Sequence, residues 1–317
     1  MNLFWSAMAV LLVAVTTPAA AEYPDRPIKI VIGVPPGGGS DAAARLLAQA
    51  LTKSLGQPVV VENRPGAGGA IAAQAAYAAA PDGTTLLWAQ SSMAGLPMLL
   101  KSTPFKSFAE FTPVSLTCRL PAALFVHPGV PANSVAELVG YARANPDKLN
   151  YATGPLSEYM SAVLFMKATG TSMVRVPYKG GAPAMMDLIE GRVQVYFTPL
   201  AQGLPHAKAG KLRMLATLTP ARTAQAAEVP AMAETPAGDL PVPNWNAVVA
   251  PPKTPRAIVE RLAREIARAM DDPAMRATLA THYLVAESST PAQLVEAVAQ
   301  SHEAWRRFTV ENDIPQE

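Results

Sequence analysis

IKIVIGVPPGGGSDAAARLLAQAL, residues 28–51, decides the fold. Ile28, Ile30, Val31, Ile32 and Val34 read as a buried strand, residues 35–39 as a Pro-Gly turn, and the remainder as a helix. Ser40 or Asp41 stands where a helix cap belongs, and Ala43, Leu46, Leu47, Ala50 and Leu51 form the apolar face. Gly37, Gly38 and Gly39 let the backbone turn sharply and come close to another group. The helix start behind them directs free N–H groups and the positive end of its dipole into that space, which suits a carboxylate or phosphate. A Gly-rich turn that binds nothing accounts for this segment equally well.

The unit recurs outward from there. PVVVE (58–62) is a second strand, followed by a glycine loop at 63–69 and an alanine-rich helix at 70–79. A turn at 81–83 leads to a strand at 84–89 and a small polar loop at 90–95. Strands alternating with helices indicate an α/β protein with a parallel sheet, whose ligands bind beyond the carboxyl ends of the strands. Strands follow at 112–117 and 122–127, and Ser134 caps a helix that opens a fresh set. In that set the strands are 149–153, 173–176, 193–197 and 212–217, with loops at 154–158, 177–183 and 198–202 and helices at 159–169 and 184–190. A proline-rich stretch at 221–243 precedes a last strand at 245–250. Two amphipathic helices finish the chain. In the first, Ile258, Leu262, Ile266 and Met270 share a face and Glu260 lies within reach of Arg264; the second is capped by Thr290. This order predicts two lobes joined by crossings near 126–131 and 240–245, dividing the chain into 22–126 plus 243–317 and 127–242.

Composition narrows the function. The formal charge is only +2 over 317 residues and no basic tract stands out, which argues against nucleic acid. The single cysteine, Cys118, excludes an intramolecular disulfide and a cysteine zinc cluster, and reads as a buried apolar residue. Residues 3–15 form an apolar run and residues 16–21 end in Ala19-Ala20-Ala21, the pattern of a secretory signal peptide over 1–21 with Glu22 as mature start; an uncleaved anchor is the alternative. No G-x-S-x-G or H-E-x-x-H motif occurs, and His127, His206, His282 and His302 are scattered. Residues 35–39 lack the G-x-G-x-x-G spacing of a dinucleotide site, so no cofactor is expected. The cleft loops instead supply Gly37, Gly38, Gly39, Ser40, Ser91, Ser92, Thr153, Ser157 and Thr198, a set of N–H and hydroxyl groups suited to a small oxyanion. Arg64 and Arg175 add charge, although Arg64 serves equally as a brace for its turn. Asp41 reads first as a helix cap and second as a ligand contact. Glu158 reads as a cap or as the partner of a ligand amine.

Six segments then carry a family resemblance: 23–51, LGQPVVVENRPGAGGAIAAQAAYAAAPDGTTLL (55–87), VPANSVAELVGYARANPDKLNYAT (130–153), VPYKGGAPAMMDLIEGRVQVYF (176–197), LPHAKAGKLRMLAT (204–217) and APPKTPRAIVERL (250–262). Together they resemble the tripartite tricarboxylate transporter receptors, also called Bug proteins. The resemblance implies a non-enzymatic, monomeric, periplasmic solute-binding receptor with the two-lobe type II periplasmic-binding (Venus flytrap) fold. Such a receptor closes on a small carboxylate-bearing metabolite and delivers it to membrane permease subunits; a sensing subunit that addresses a signalling kinase is the alternative. In the family, one ligand carboxylate is gripped by the loops after the first strand of each lobe. The matching positions are Pro36, Gly37, Gly38, Gly39, Ser40 and Asp41 in one lobe and Thr153, Gly154 and Ser157 in the other, with Ser91, Ser92, Tyr178 and Thr198 at further cleft positions. Two departures stand out. TGPLSEYM (153–160) is about two residues shorter than the family's Ser-Gly-x-Gly-Thr loop and puts Tyr159 where a His is usual. Thr198 replaces an Asp carried by many members, leaving Glu158 to stand in for it. A ligand different from that of a typical member is therefore expected.

Overall fold

Ile28, Ile30, Ile32, Leu86 and Trp88 are wholly buried, because the strands that carry them have helices on both faces. The computed structural model describes residues 23–103, 105–154 and 156–316. The expected signal segment and its cleavage point before Glu22 lie outside the described residues.

In chain order the first units are β1 (Ile28–Ile32), α1 (Gly39–Leu55), β2 (Val59–Asn63), α2 (Ala70–Tyr77), β3 (Thr85–Gln90), α3 (Leu96–Leu99) and β4 (Thr112–Arg119). There follow β5 (Ala122–Val126), α4 (Val135–Ala144), β6 (Asn150–Thr153), α5 (Leu156–Thr169), β7 (Val174–Pro177), α6 (Gly181–Ile189), β8 (Val195–Pro199), α7 (Leu200–Lys208) and β9 (Arg213–Thr217). The chain ends with β10 (Trp245–Ala250), α8 (Arg256–Asp271), α9 (Pro273–Thr281), β11 (Val285–Ala286) and α10 (Pro291–Glu311).

Among the described residues the strands form two sheets, ordered β2-β1-β3-β10-β4-β11 and β7-β6-β8-β5-β9. In each, three parallel strands precede one antiparallel strand, β10 in the first sheet and β5 in the second. The first sheet is covered on one face by α1 and α8, through Leu47, Leu51, Leu262 and Ile266, and on the other by α2 and α10, through Ala73, Leu294, Trp305 and Phe308. The second sheet lies between α4 and α5 on one face and α6 and α7 on the other.

The two crossings lead into these antiparallel strands, β5 and β10. Sequence reading keeps 122–126 with the first lobe, but β5 pairs with β8 and β9 in the second sheet. The chain thus crosses between Arg119 and Ala122 and returns before Trp245. AALFV is an apolar run that either sheet could bury, so nothing local in it names its partner. The two crossings are tied together by the Asn244 side-chain amide, which donates to the Leu120 carbonyl, and the first crossing is also fastened to the start of α7 by the Leu200 N–H, which donates to the Pro121 carbonyl at 2.8 Å.

Smaller differences follow from local chemistry. Gly38, not Ser40 or Asp41, is the N-cap of α1. Helix α5 starts at Leu156 rather than 159, so Glu158 sits inside its first turn. Helix α9 is an extra element, capped by Asp272, whose carboxylate accepts from the N–H groups of Ala274 (2.7 Å) and Met275 (3.0 Å). Glu260 pairs with Arg256 at 2.6 Å instead of Arg264.

Candidate functional site

The loop between β1 and α1 turns at Gly37, whose φ of +95° is open to glycine and strained for other residues. It is clamped from behind. The Asp41 carboxylate, 3 % exposed, accepts from the Gly37 N–H (3.0 Å), the Arg45 guanidinium (3.0 Å) and the Asn63 side-chain amide (2.8 Å). Asn63 also donates to the Val34 carbonyl at 2.9 Å, fastening the loop to the end of β2. Burial alone would raise the Asp41 pKa; the bonds from Arg45, Asn63 and Gly37 outweigh it and hold the group below the usual carboxylate range. Asp41 is thus a brace for this loop. The N–H groups of Gly39, Ser40 and Asp41 precede the first intrahelical bond, made by the Ala42 N–H to the Gly38 carbonyl (2.9 Å), and so form the open end of the helix.

The loop between β6 and α5 repeats this design. The Gly154 N–H donates to Glu158 Oε2 at 2.7 Å, again four residues ahead. The Tyr196 hydroxyl lies 2.8 and 2.9 Å from the two carboxylate oxygens, and Thr198 Oγ1 lies 3.1 Å from Oε1. Among the described residues no lysine, arginine or histidine lines the cavity at Glu158, whereas Arg45 bonds Asp41. Burial pushes the Glu158 carboxyl up to about 8, with the bonds from Gly154, Tyr196 and Thr198 holding it back. Burial and the adjacent Glu158 push the Tyr196 phenol well above its ordinary value.

The two halves meet across these loops. A methyl placed on Gly180, after β7, would come to 3.9 Å of Pro35 Cγ, after β1. One placed on Gly68, after β2, would come to 3.1 Å of Leu156, at the start of α5. One placed on Gly39 would meet Ala201 at 3.6 Å, so the starts of α1 and α7 also abut. First-strand and second-strand loops thus cross-pair reciprocally between the halves. Toward the crossings, Ser157, Glu158, Ser161, Thr198, Val242 and Asn244 line a cavity of about 30 Å³, room for about one water molecule.

The residues expected to meet ligand divide into two sets. Pro36 and Gly37 are exposed in the turn, Gly38 and Gly39 are half-buried at the start of α1, and Ser157 lies at the start of α5. Several hydroxyls are instead bound internally. Ser40 Oγ accepts from the Trp88 indole at 2.9 Å, and Ser91 Oγ donates to the Pro243 carbonyl at 2.7 Å. Thr153 Oγ1 accepts from Arg175 at 3.1 Å, and the Tyr178 hydroxyl donates to Asp187 at 2.7 Å, away from Glu158. Ser92 is buried beside Ser91. Arg64 pairs with Glu62 in its own turn, and Arg175 of β7 stacks on Tyr159 of α5 at 4.1 Å, so each is engaged within its own half. Sequence reading misses Asn63, Tyr196, Gln202 and Asn244. Asn63 ends β2 and Asn244 precedes β10, positions beyond the ends of strands, which is the one signal that singles them out.

Among the described residues no cluster of His, Cys, Asp and Glu is placed to hold a metal ion, and no helix is long and apolar enough to cross a membrane. Comparison with known proteins gives a consistent set of matches. The family model for the tripartite tricarboxylate transporter family receptor matches residues 43–311. Protein BugT of Bordetella pertussis is 35 % identical over 297 residues, 92 % of this chain and 91 % of that protein. Among solved structures, R. palustris Rpa4515 with adipate has a TM-score of 0.83 at 31 % identity, covering 91 % of this chain and 97 % of the other. MatC from Rhodopseudomonas palustris with bound malate has a TM-score of 0.80 at 27 % identity, covering 90 % and 99 %.

Proposed function

Because the chain belongs to the tripartite tricarboxylate transporter receptor family, we propose that it captures a small carboxylate-bearing solute between its halves and hands it to membrane permease subunits. The family's members are solute-binding receptors rather than enzymes, and the two-sheet frame is that of a periplasmic binding protein. On this reading the chain is exported, residues 1–21 are removed, and the mature protein begins at Glu22. The lobes correspond to the two sheets, 23–119 with 245–316 and 122–242, and they hinge at the paired crossings.

The observation that carries the reading is the pair of matching clamps. Each opposed helix, α1 and α5, starts behind a loop fastened to an acidic residue of its own first turn, Asp41 or Glu158. A rigid array of N–H donors at helix starts holds a carboxylate without a lysine or arginine. Adipate in Rpa4515 and malate in MatC share a terminal carboxylate, and that group is the proposed handle here. The first helix turns of α1 and α5, with Gly38, Gly39, Ser40, Leu156 and Ser157, are the proposed grip. Closure brings both halves to one surface, which is the state a permease would read.

Thermal denaturation of the mature protein against a carboxylate panel including adipate and malate tests this. A ligand at about 100 times its Kd adds about 2.7 kcal/mol of stability, seen as a raised Tm. The absence of any shift with every carboxylate between pH 6 and 9 overturns the reading.

A further inference from the structure

The contacts around Glu158 contain more hydrogen bonds than the hydroxyls have protons. Tyr196 meets Glu158, Thr198 meets Glu158 Oε1, and Thr198 Oγ1 also lies 3.2 Å from the side-chain oxygen of Gln202. Each hydroxyl carries one proton, and the Gln202 amide presents either its oxygen or its N–H to Thr198 according to which way it is turned. With the oxygen toward Thr198, a proton on Glu158 Oε1 completes the chain: Glu158 donates to Thr198, Thr198 donates to Gln202, and Oε2 still accepts from Gly154 and Tyr196. The network thus accommodates a neutral Glu158, whose side chain is buried and, among the described residues, bonded only by uncharged donors.

The neighbours agree with that state. Among the described residues the ionisable groups nearby are Tyr196 on β8, Tyr178 after β7 with its partner Asp187 on α6, and Arg175 on β7, which bonds Thr153 and stacks on Tyr159. Tyr196 is bonded to Glu158 itself, and Tyr178 is held up to about 12 by burial and by Asp187, so neither phenol loses its proton near neutrality. No lysine, arginine or histidine is among the described residues lining the cavity at Glu158. An ionised Glu158 would also lie at the start of α5, where it competes with any ligand anion for the same helix end.

We propose that Glu158 determines what the second half accepts, admitting a ligand carboxylate at the start of α5 only together with a proton on Glu158. The proposal rests on the carboxylate reading above. Ligand binding would then draw one proton from solvent onto Glu158 Oε1, with no other bond made or broken.

Calorimetric titration of the mature protein with adipate and with malate, in two buffers of different ionisation heat, tests this. Both acids remain ionised above pH 7, so any proton uptake belongs to the protein. The expected result is uptake of a fraction of a proton near pH 8 and a Kd that weakens up to tenfold per pH unit above it. Glu158→Gln, which keeps an acceptor for Gly154 and a donor for Thr198, should take up none and bind with the same Kd at pH 7 and pH 9. Binding by the wild type without proton uptake overturns the proposal and leaves the carboxylate reading standing. An unchanged pH slope in Glu158→Gln overturns it too. Failure of both acids to bind anywhere between pH 6 and 9 sinks the proposal along with that part of the functional reading.

Discussion

The backbone N–H of Gly37 lies 3.0 Å from Oδ2 of Asp41, four residues ahead of it. This contact closes the glycine turn onto its own helix and leaves the later N–H groups of the helix start open. Asp41→Ala removes the acceptor for Gly37, Asn63 and Arg45 together. Part-buried donors left without partners cost about 1–3 kcal/mol, so a Tm lowered by several degrees is expected, with carboxylate affinity lost alongside. Asp41→Asn, which keeps one acceptor oxygen, should fall between. Because the folded-state pKa of Asp41 is depressed, its contribution is present above the ordinary carboxylate range and is lost as pH falls through the lower folded value. A variant whose Tm matches the wild type at pH 7 would refute the brace.

Glu158 has the opposite sign. Its folded-state pKa is raised to about 8, so its favourable contribution is complete below the ordinary glutamate value and is lost as pH rises through about 8. Denaturant melts of the wild type and Glu158→Gln should diverge in the variant's favour between pH 5 and about 8, on the order of 1 kcal/mol per pH unit, and the difference should level off above pH 8. Parallel curves would mean that Glu158 is ionised with adequate compensation.

Tyr159 joins the halves through rings. It stands edge-on to Phe308 of α10, with centroids 5.9 Å apart, while Arg175 stacks on it at 4.1 Å. The Phe308 contact, which spans the halves, contributes about 0.5–1.5 kcal/mol, so Tyr159→Ala should weaken ligand affinity roughly 2- to 13-fold by destabilising the closed form. A double-mutant cycle with Phe308→Ala, read by calorimetric Kd, should return a coupling of at least about 0.5 kcal/mol. Additive single effects would remove Tyr159 from the closure contact.

Gly180 and Pro35 mark the rim. The extended backbone at Gly180, φ 173°, suits any residue, and a methyl there meets Pro35 at an ordinary 3.9 Å. Gly180→Ala should therefore bind as the wild type does. Gly180→Trp should wedge the rim open, weakening Kd about tenfold or more while leaving the unliganded Tm within about 1 °C. Small-angle scattering would register the larger radius of gyration. Equal Kd values for the two variants would place the rim elsewhere.

Much of this architecture is written locally. The alternation of apolar strands, glycine turns and helices at 28–51, 58–79 and 149–169 is legible because burial on both faces demands unbroken apolar runs and tight turns demand glycine. Cap chemistry also reads directly, as at Ser134 and Thr290, each of which accepts from a backbone N–H three residues on. The site is only half legible. Asp41 and Glu158 stand out at helix starts in the sequence, and the choice between brace and ligand contact does not, since it depends on which donors arrive from elsewhere.

The sequence by itself determined the α/β class, the recurring strand–glycine–helix units and the positions of the loops beyond the strand ends, because each follows from neighbours a few residues apart. Only the tertiary structure decided that β5 joins the second sheet and that Tyr196 and Thr198, some forty residues away, surround Glu158. It alone also placed Asn63 against Asp41 and Pro35 against Gly180. Strand pairing and burial are settled by the free energy of the whole packed chain. The protonation of a buried carboxyl, which follows from that burial, has no signature in its own segment.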